Sequence, residues 1–102
     1  MKERSIRTNI LHYLNSLPRS DFWVSPPGSP TSLPDICGVL NGRAVYVEVK
    51  VPGKKPRKAQ VWRMNRLEKA GAIVFTANSI GDASHQLYRR GLRTYEQRCR
   101  EV

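Results

Sequence analysis

The chain has 102 residues, 39% of them hydrophobic, and 18 Lys and Arg against 8 Asp and Glu give it a net charge of +10. That length makes one domain with a modest core, and no apolar run approaches the roughly twenty residues that cross a bilayer, which argues against a membrane-embedded chain. The positive charge points to a polyanion, usually nucleic acid; an anionic membrane surface is the main alternative, and a basic protein with no such partner the bland one.

In chain order, Lys2 to Leu17 carries Ile6, Ile10, Leu14 and Leu17 at helical spacing, with Leu11 and Tyr13 widening the stripe and Pro18 stopping it. Acid and base in this segment, without a signal-peptide apolar region, lead us to expect an intracellular protein, in the cytoplasm of a bacterium or of a phage-infected host. Glu3 lies in the first turn, where a carboxylate suits the helix dipole. Phe22-Trp23-Val24 reads as a short strand. Trp23 could stack on a base, but an aromatic within a short apolar strand is more often core. Ser25 to Leu33, with Pro26, Pro27, Gly28 and Pro30, is neither helix nor ladder interior. It is either a wall of a functional site or a linker around the sheet edge.

The most informative stretch follows. Residues 34–40 and 43–50 flank Asn41-Gly42, and Asn-Gly between two β-branched runs signals a hairpin, because a type I′ turn needs φ > 0 at both positions. If Leu40 pairs with Arg43, then Val39 pairs with Ala44, Cys37 with Tyr46, Ile36 with Val47, and Asp35 comes opposite Glu48. Opposed like charges destabilise a sheet, and a divalent cation between them is one reason to keep them. Alternation puts Glu48 and Lys50 on one face and the core candidates Val45, Val47 and Val49 on the other. Two carboxylates and an ammonium converging at one end of a hairpin suit phosphodiester hydrolysis. Taken alone, Glu and Lys two apart on a strand more often mark a solvated face.

Val51-Pro52-Gly53 forms a turn, and Lys54, Lys55, Arg57 and Lys58 crowd the next five positions. Such runs are commonly solvated surface, but beside a candidate metal site they are natural phosphate contacts. A helix runs from about Arg57 to Ala70, with Val61, Met64 and Leu67 on one side and Gly71 beyond its end. Gln60 in its first turns can look back at the hairpin. Trp62 and Arg63 either border a DNA groove or, for Trp62, pack on the sheet. Residues 72–77 form a continuously apolar strand, so strand, helix, strand makes a right-handed parallel crossover. Asn78-Ser79 opens a further helix through Asp82, Ala83, Leu87 and Tyr88, ending near Gly91, and Leu92 to Val102 is a charged tail. The cysteines, Cys37 in a strand and Cys99 in the tail, make neither a disulfide framework nor a zinc site, and Cys37 reads as a small buried packing residue.

Pro34-Asp35 followed by Glu48-Val49-Lys50 resembles the signature of the PD-(D/E)XK nuclease superfamily, and Val51-Pro52-Gly53 with Gln60 and Trp62 resembles more specifically the VRR-NUC (virus-type replication-repair nuclease) family over nearly the whole chain. The resemblance implies an α/β fold with a restriction-endonuclease-like αβββαβ core, a mixed sheet flanked by helices. It implies a site of Glu3, Asp35, Glu48, Lys50 and Gln60. Mg2+ or Mn2+ would be held by Asp35, Glu48 and the Val49 carbonyl, with Lys50 near the attacking water and Gln60 assisting Lys50 or the phosphate. Leu33 stands where the family often has glycine before Pro-Asp, and Pro56-Arg57-Lys58-Ala59 offers no hydroxyl to cap the second helix.

The sequence thus leads us to expect one stand-alone domain over residues 1–102, a metal-dependent DNA endonuclease with Lys54, Lys55, Arg57, Lys58 and Arg63 on DNA. Branched DNA such as a Holliday junction is the substrate class the resemblance implies, with a homodimer if cutting is symmetric. The alternative is a basic nucleic-acid-binding module that has the nuclease fold and no catalysis.

Overall fold

The computed structural model describes residues 2–92; the tail positions 93–102, Cys99 among them, lie outside the described residues. The elements in order are α1 (Glu3–Asn15), β1 (Ser20–Val24), β2 (Ile36–Leu40), β3 (Arg43–Val49), α2 (Lys58–Lys69), β4 (Ile73–Ala77) and α3 (Ile80–Arg89). The strands form one mixed sheet in the order β1-β2-β3-β4, antiparallel except for the parallel β3/β4 pair. This is the expected αβββαβ core, followed by α3.

The Asn-Gly turn sets the register as its chemistry requires. Asn41 and Gly42 have φ of 53° and 78°, and the ladder runs from Leu40 opposite Arg43 to Ile36 opposite Val47. Alternation then puts Ile36, Leu40, Val45, Val47 and Val49 on one face, all fully buried. They pack with Ile6, Ile10, Tyr13 and Leu14 of α1 and Ala83 and Leu87 of α3 in one core. Ser79 caps α3 by accepting from the Asp82 N–H at 3.0 Å.

β1 is an edge strand, and an open edge invites unwanted pairing. Asn15 blunts it: its side-chain amide donates to the Phe22 carbonyl at 3.0 Å and accepts from the Phe22 N–H at 2.8 Å, an imitation of a neighbouring strand.

Several side chains depart from the sequence reading. Phe22 is the core residue of β1, whereas Trp23, one position on, falls on the opposite face and stays 47% exposed. Trp62 does not pack on the sheet but is 53% exposed, and Val61 is also outside. Cys37 is half-buried, with its sulfur 3.5 Å from the Ser25 hydroxyl.

Gly38 carries a constraint that its neighbours in sequence do not announce. It pairs with Phe22 across the β1/β2 ladder, and a Cβ there would run into the Asp21 carbonyl oxygen and the Phe22 ring. The ring therefore lies over the glycine, and β2, which carries the chain out of Asp35, is held flat against β1. Gly38→Ala is expected to destabilise the protein by about 1–3 kcal/mol, read as a lower urea midpoint at unchanged m-value.

Candidate active site

Glu48 sits near the end of β3 on the face opposite the Val45–Val47–Val49 core, and it is only 1% exposed. Its burial comes from α2, whose Gln60, also buried, donates from Nε2 to Glu48 Oε2 at 2.8 Å. The same oxygen receives the Lys50 ammonium at 3.1 Å, the one ion pair among the described residues. Glu48 Oε1 is buried with no hydrogen-bond partner. Asp35 lies just before β2, where the hairpin register brings it beside Glu48, and its Oδ2 accepts from the Val49 N–H at 2.9 Å. The Val49 amide is thus what the structure shows engaged with the aspartate.

Gln60 has a second task. Its Oε1 accepts from the Arg57 N–H at 2.9 Å, so the helix that lacks a hydroxyl cap has this N-terminal donor satisfied three residues downstream. One amide therefore fixes the start of α2 and the orientation of Glu48 together.

These groups line a polar cleft of about 330 Å³, with Asp35, Glu48, Lys50 and Gln60 facing Glu3 and Arg7 of α1 and Arg57 at the start of α2. The proline-rich segment supplies its rim through Ser25, Pro26, Ser29, Pro30 and Leu33. Ser25 ties that segment down, its N–H donating to the Asp35 carbonyl at 2.9 Å and its hydroxyl to the Pro34 carbonyl at 2.7 Å. A roomier groove of about 430 Å³ between the start of α1 and the start of α3 has no titratable side chain in its wall, so size and chemistry do not coincide. Lys54, Lys55 and Lys58 are exposed just beyond the cleft, while Arg63 lies farther along α2 and is half-buried with its Nε lacking a hydrogen bond. Sequence reasoning missed Arg7; its position one turn after Glu3 was the available signal.

Among the described residues no three His, Cys, Asp or Glu side chains form a ready-made metal cage. The donor set nonetheless fits a hard cation that keeps most of its water: Mg2+ is usually bound by one or two carboxylates, with waters and phosphate completing the shell. The buried, unpartnered Oε1 beside a second carboxylate is an oxygen that such an ion would satisfy.

Burial pushes the Glu48 carboxyl up from an ordinary 4.5 to about 7, and the Asp35 charge adds to the rise against the opposing pull of Lys50. A raised carboxyl favours the folded state while protonated, so its contribution is present below pH 4.5 and is lost as pH climbs through 7. Without divalent metal, the stability of the protein is expected to fall by roughly 2 kcal/mol between pH 5 and 8 relative to Glu48→Gln. Urea unfolding of both proteins in EDTA across that range checks this, and a parallel pair of pH profiles would exclude the buried carboxyl as the cause.

No family model matches the chain, and no curated protein matches it either. Solved structures do. One described as a "VRR_NUC domain" superposes with a TM-score of 0.72 at 23% identity, covering 87% of this chain and 96% of the other. Another, a "VRR_NUC domain protein", gives 0.69 at 17% identity, covering 87% of each chain. Both superpositions take in most of this chain, and this protein, with its mixed four-stranded sheet flanked by helices, therefore has the VRR_NUC nuclease fold.

Proposed function

We propose that the protein is a metal-dependent endodeoxyribonuclease, a single domain with its site in the polar cleft. The observation that carries the reading is the Glu48 carboxylate, buried beside Asp35, tied on one oxygen to Lys50 and Gln60 and unpartnered on the other. Asp35, Glu48 and the Val49 carbonyl would hold Mg2+ or Mn2+. When bound, the ion would supply Lewis acidity toward the phosphate and a lowered pKa for water.

The chain's own residues do the rest. Gln60 fixes the Glu48 carboxylate through its Nε2, and the Val49 N–H fixes Asp35, so both acids are oriented before substrate arrives. Lys50, 16% exposed at the cleft, is placed to donate to the attacking water or to charge building on the phosphate oxygens. Water attacks phosphorus, the P–O bond to one sugar oxygen breaks, and that oxygen leaves with a proton. Arg57 and Arg7 at the cleft wall, with Lys54, Lys55 and Lys58 outside it, neutralise the approaching backbone. Glu3 at the same wall is a further acid for the site. Branched DNA such as a four-way junction is the substrate class we favour, and paired symmetric cuts there would require a homodimer.

Cleavage of matched linear, flap and four-way DNA with and without Mg2+ or Mn2+ tests the proposal. Chelation is expected to abolish cutting. Glu48→Ala and Lys50→Ala are expected to lower it by roughly 100-fold or more, and Gln60→Ala by roughly 10- to 100-fold. Salt-sensitive binding without cleavage in any protein would leave a non-catalytic binding module in its place.

A further inference from the structure

The outward side of α2 is unlike an ordinary solvated helix face. Gln60, Arg63, Met64 and Leu67 form its inward stripe, each buried or half-buried. On the opposite side, at i, i+4, i+8 and i+11, stand Lys58, Trp62, Arg66 and Lys69, all exposed. No carboxylate interrupts this ridge, because Glu68, the helix's one acid, falls on the flank beside Val61. None of its cations has an ion-pair partner among the described residues. At its centre the Trp62 indole is 53% exposed and carries two guanidiniums, Arg63 at 5.3 Å and Arg66 at 5.2 Å from the ring.

Each part of this arrangement has a use on a polynucleotide. An exposed guanidinium held against an indole, as that of Arg66 is, keeps its N–H edge free for phosphate and loses little freedom on meeting it. The indole offers a surface on which any nucleobase can stack. The ridge is also continuous with the proposed site, since Lys58 follows Arg57, which lines the cleft. A base within duplex DNA already has its neighbours above and below and cannot reach an indole projecting from a helix. An unpaired base can.

We propose that the outer ridge of α2 is a binding track for single-stranded DNA, in which Trp62 stacks an unpaired base and Lys58, Arg66 and Lys69 hold the flanking phosphates. The ridge spans about 17 Å from Lys58 to Lys69. The inference rests on the DNA reading above and narrows it, from branched DNA at large to branches with unpaired nucleotides next to the phosphate presented to Glu48, a flap before a fully paired four-way junction.

The test is binding in EDTA, where cleavage plays no part. In a Trp23→Phe background Trp62 is the sole tryptophan of the chain. Its emission is expected to be quenched saturably by oligo(dT) and far less by a blunt duplex of equal length. Trp62→Ala is expected to weaken single-strand binding roughly 5- to 100-fold, measured by anisotropy of labelled DNA, with duplex affinity changing by less than about twofold, and Trp62→Phe is expected to recover most of the loss. Equal losses on single-stranded and duplex DNA, no quenching at saturating single strand, or no DNA binding at all would overturn the proposal. Failure of the catalytic reading alone shows instead as absent metal-dependent cutting by the unsubstituted protein with the quenching by oligo(dT) intact.

Discussion

The Glu48 carboxylate is the group on which the other features of the site converge. A buried carboxylate is costly unless paired and hydrogen-bonded. Here one oxygen is compensated by an ammonium two residues along the same strand and by an amide from α2, while the other is left bare beside a second acid. Neutralising it by protonation is one escape, which is why burial raises its pKa to about 7. A divalent cation is the other, and it is the one our proposed chemistry uses.

That electrostatic imbalance is held in place by backbone geometry. The type I′ turn at Asn41-Gly42 aligns β2 with β3 so that Asp35 arrives beside Glu48, and the Val49 N–H locks the aspartate side chain. Phe22 lying over Gly38 presses β1 onto β2 and leaves no room for a side chain at that position. The core on the far face, built from α1, α3 and the inward valines, then fixes the sheet from behind. A shift of one residue in the hairpin would send Glu48 into that core and the valines into the cleft.

Gln60 links the two layers. It satisfies the start of α2 and clamps Glu48, so the helix is anchored by the site and the site by the helix. With its inward stripe committed in this way, α2 turns Lys58, Trp62, Arg66 and Lys69 to solvent. The proposed single-strand track is thus the other side of the element that buries Glu48.

The sequence by itself determined the local and periodic features: the hairpin and its register, the order αβββαβ, the amphipathic first helix and the convergence of Asp35, Glu48 and Lys50 at one strand end. These follow from φ restrictions at Asn-Gly and from the alternation of a strand, both of which act within a few residues. The tertiary structure decided what depends on which surface meets which. It placed Glu48 under Gln60, let Gln60 replace the absent N-cap, and set Arg7 in the cleft wall. It also sent Trp23 outward, although an aromatic in a short apolar strand reads as core from its neighbours alone, and it left Trp62 exposed where the sequence had allowed either a groove or the sheet. Burial is a relation between elements far apart in the chain, and periodicity gives the face a residue is on but not whether another element covers it.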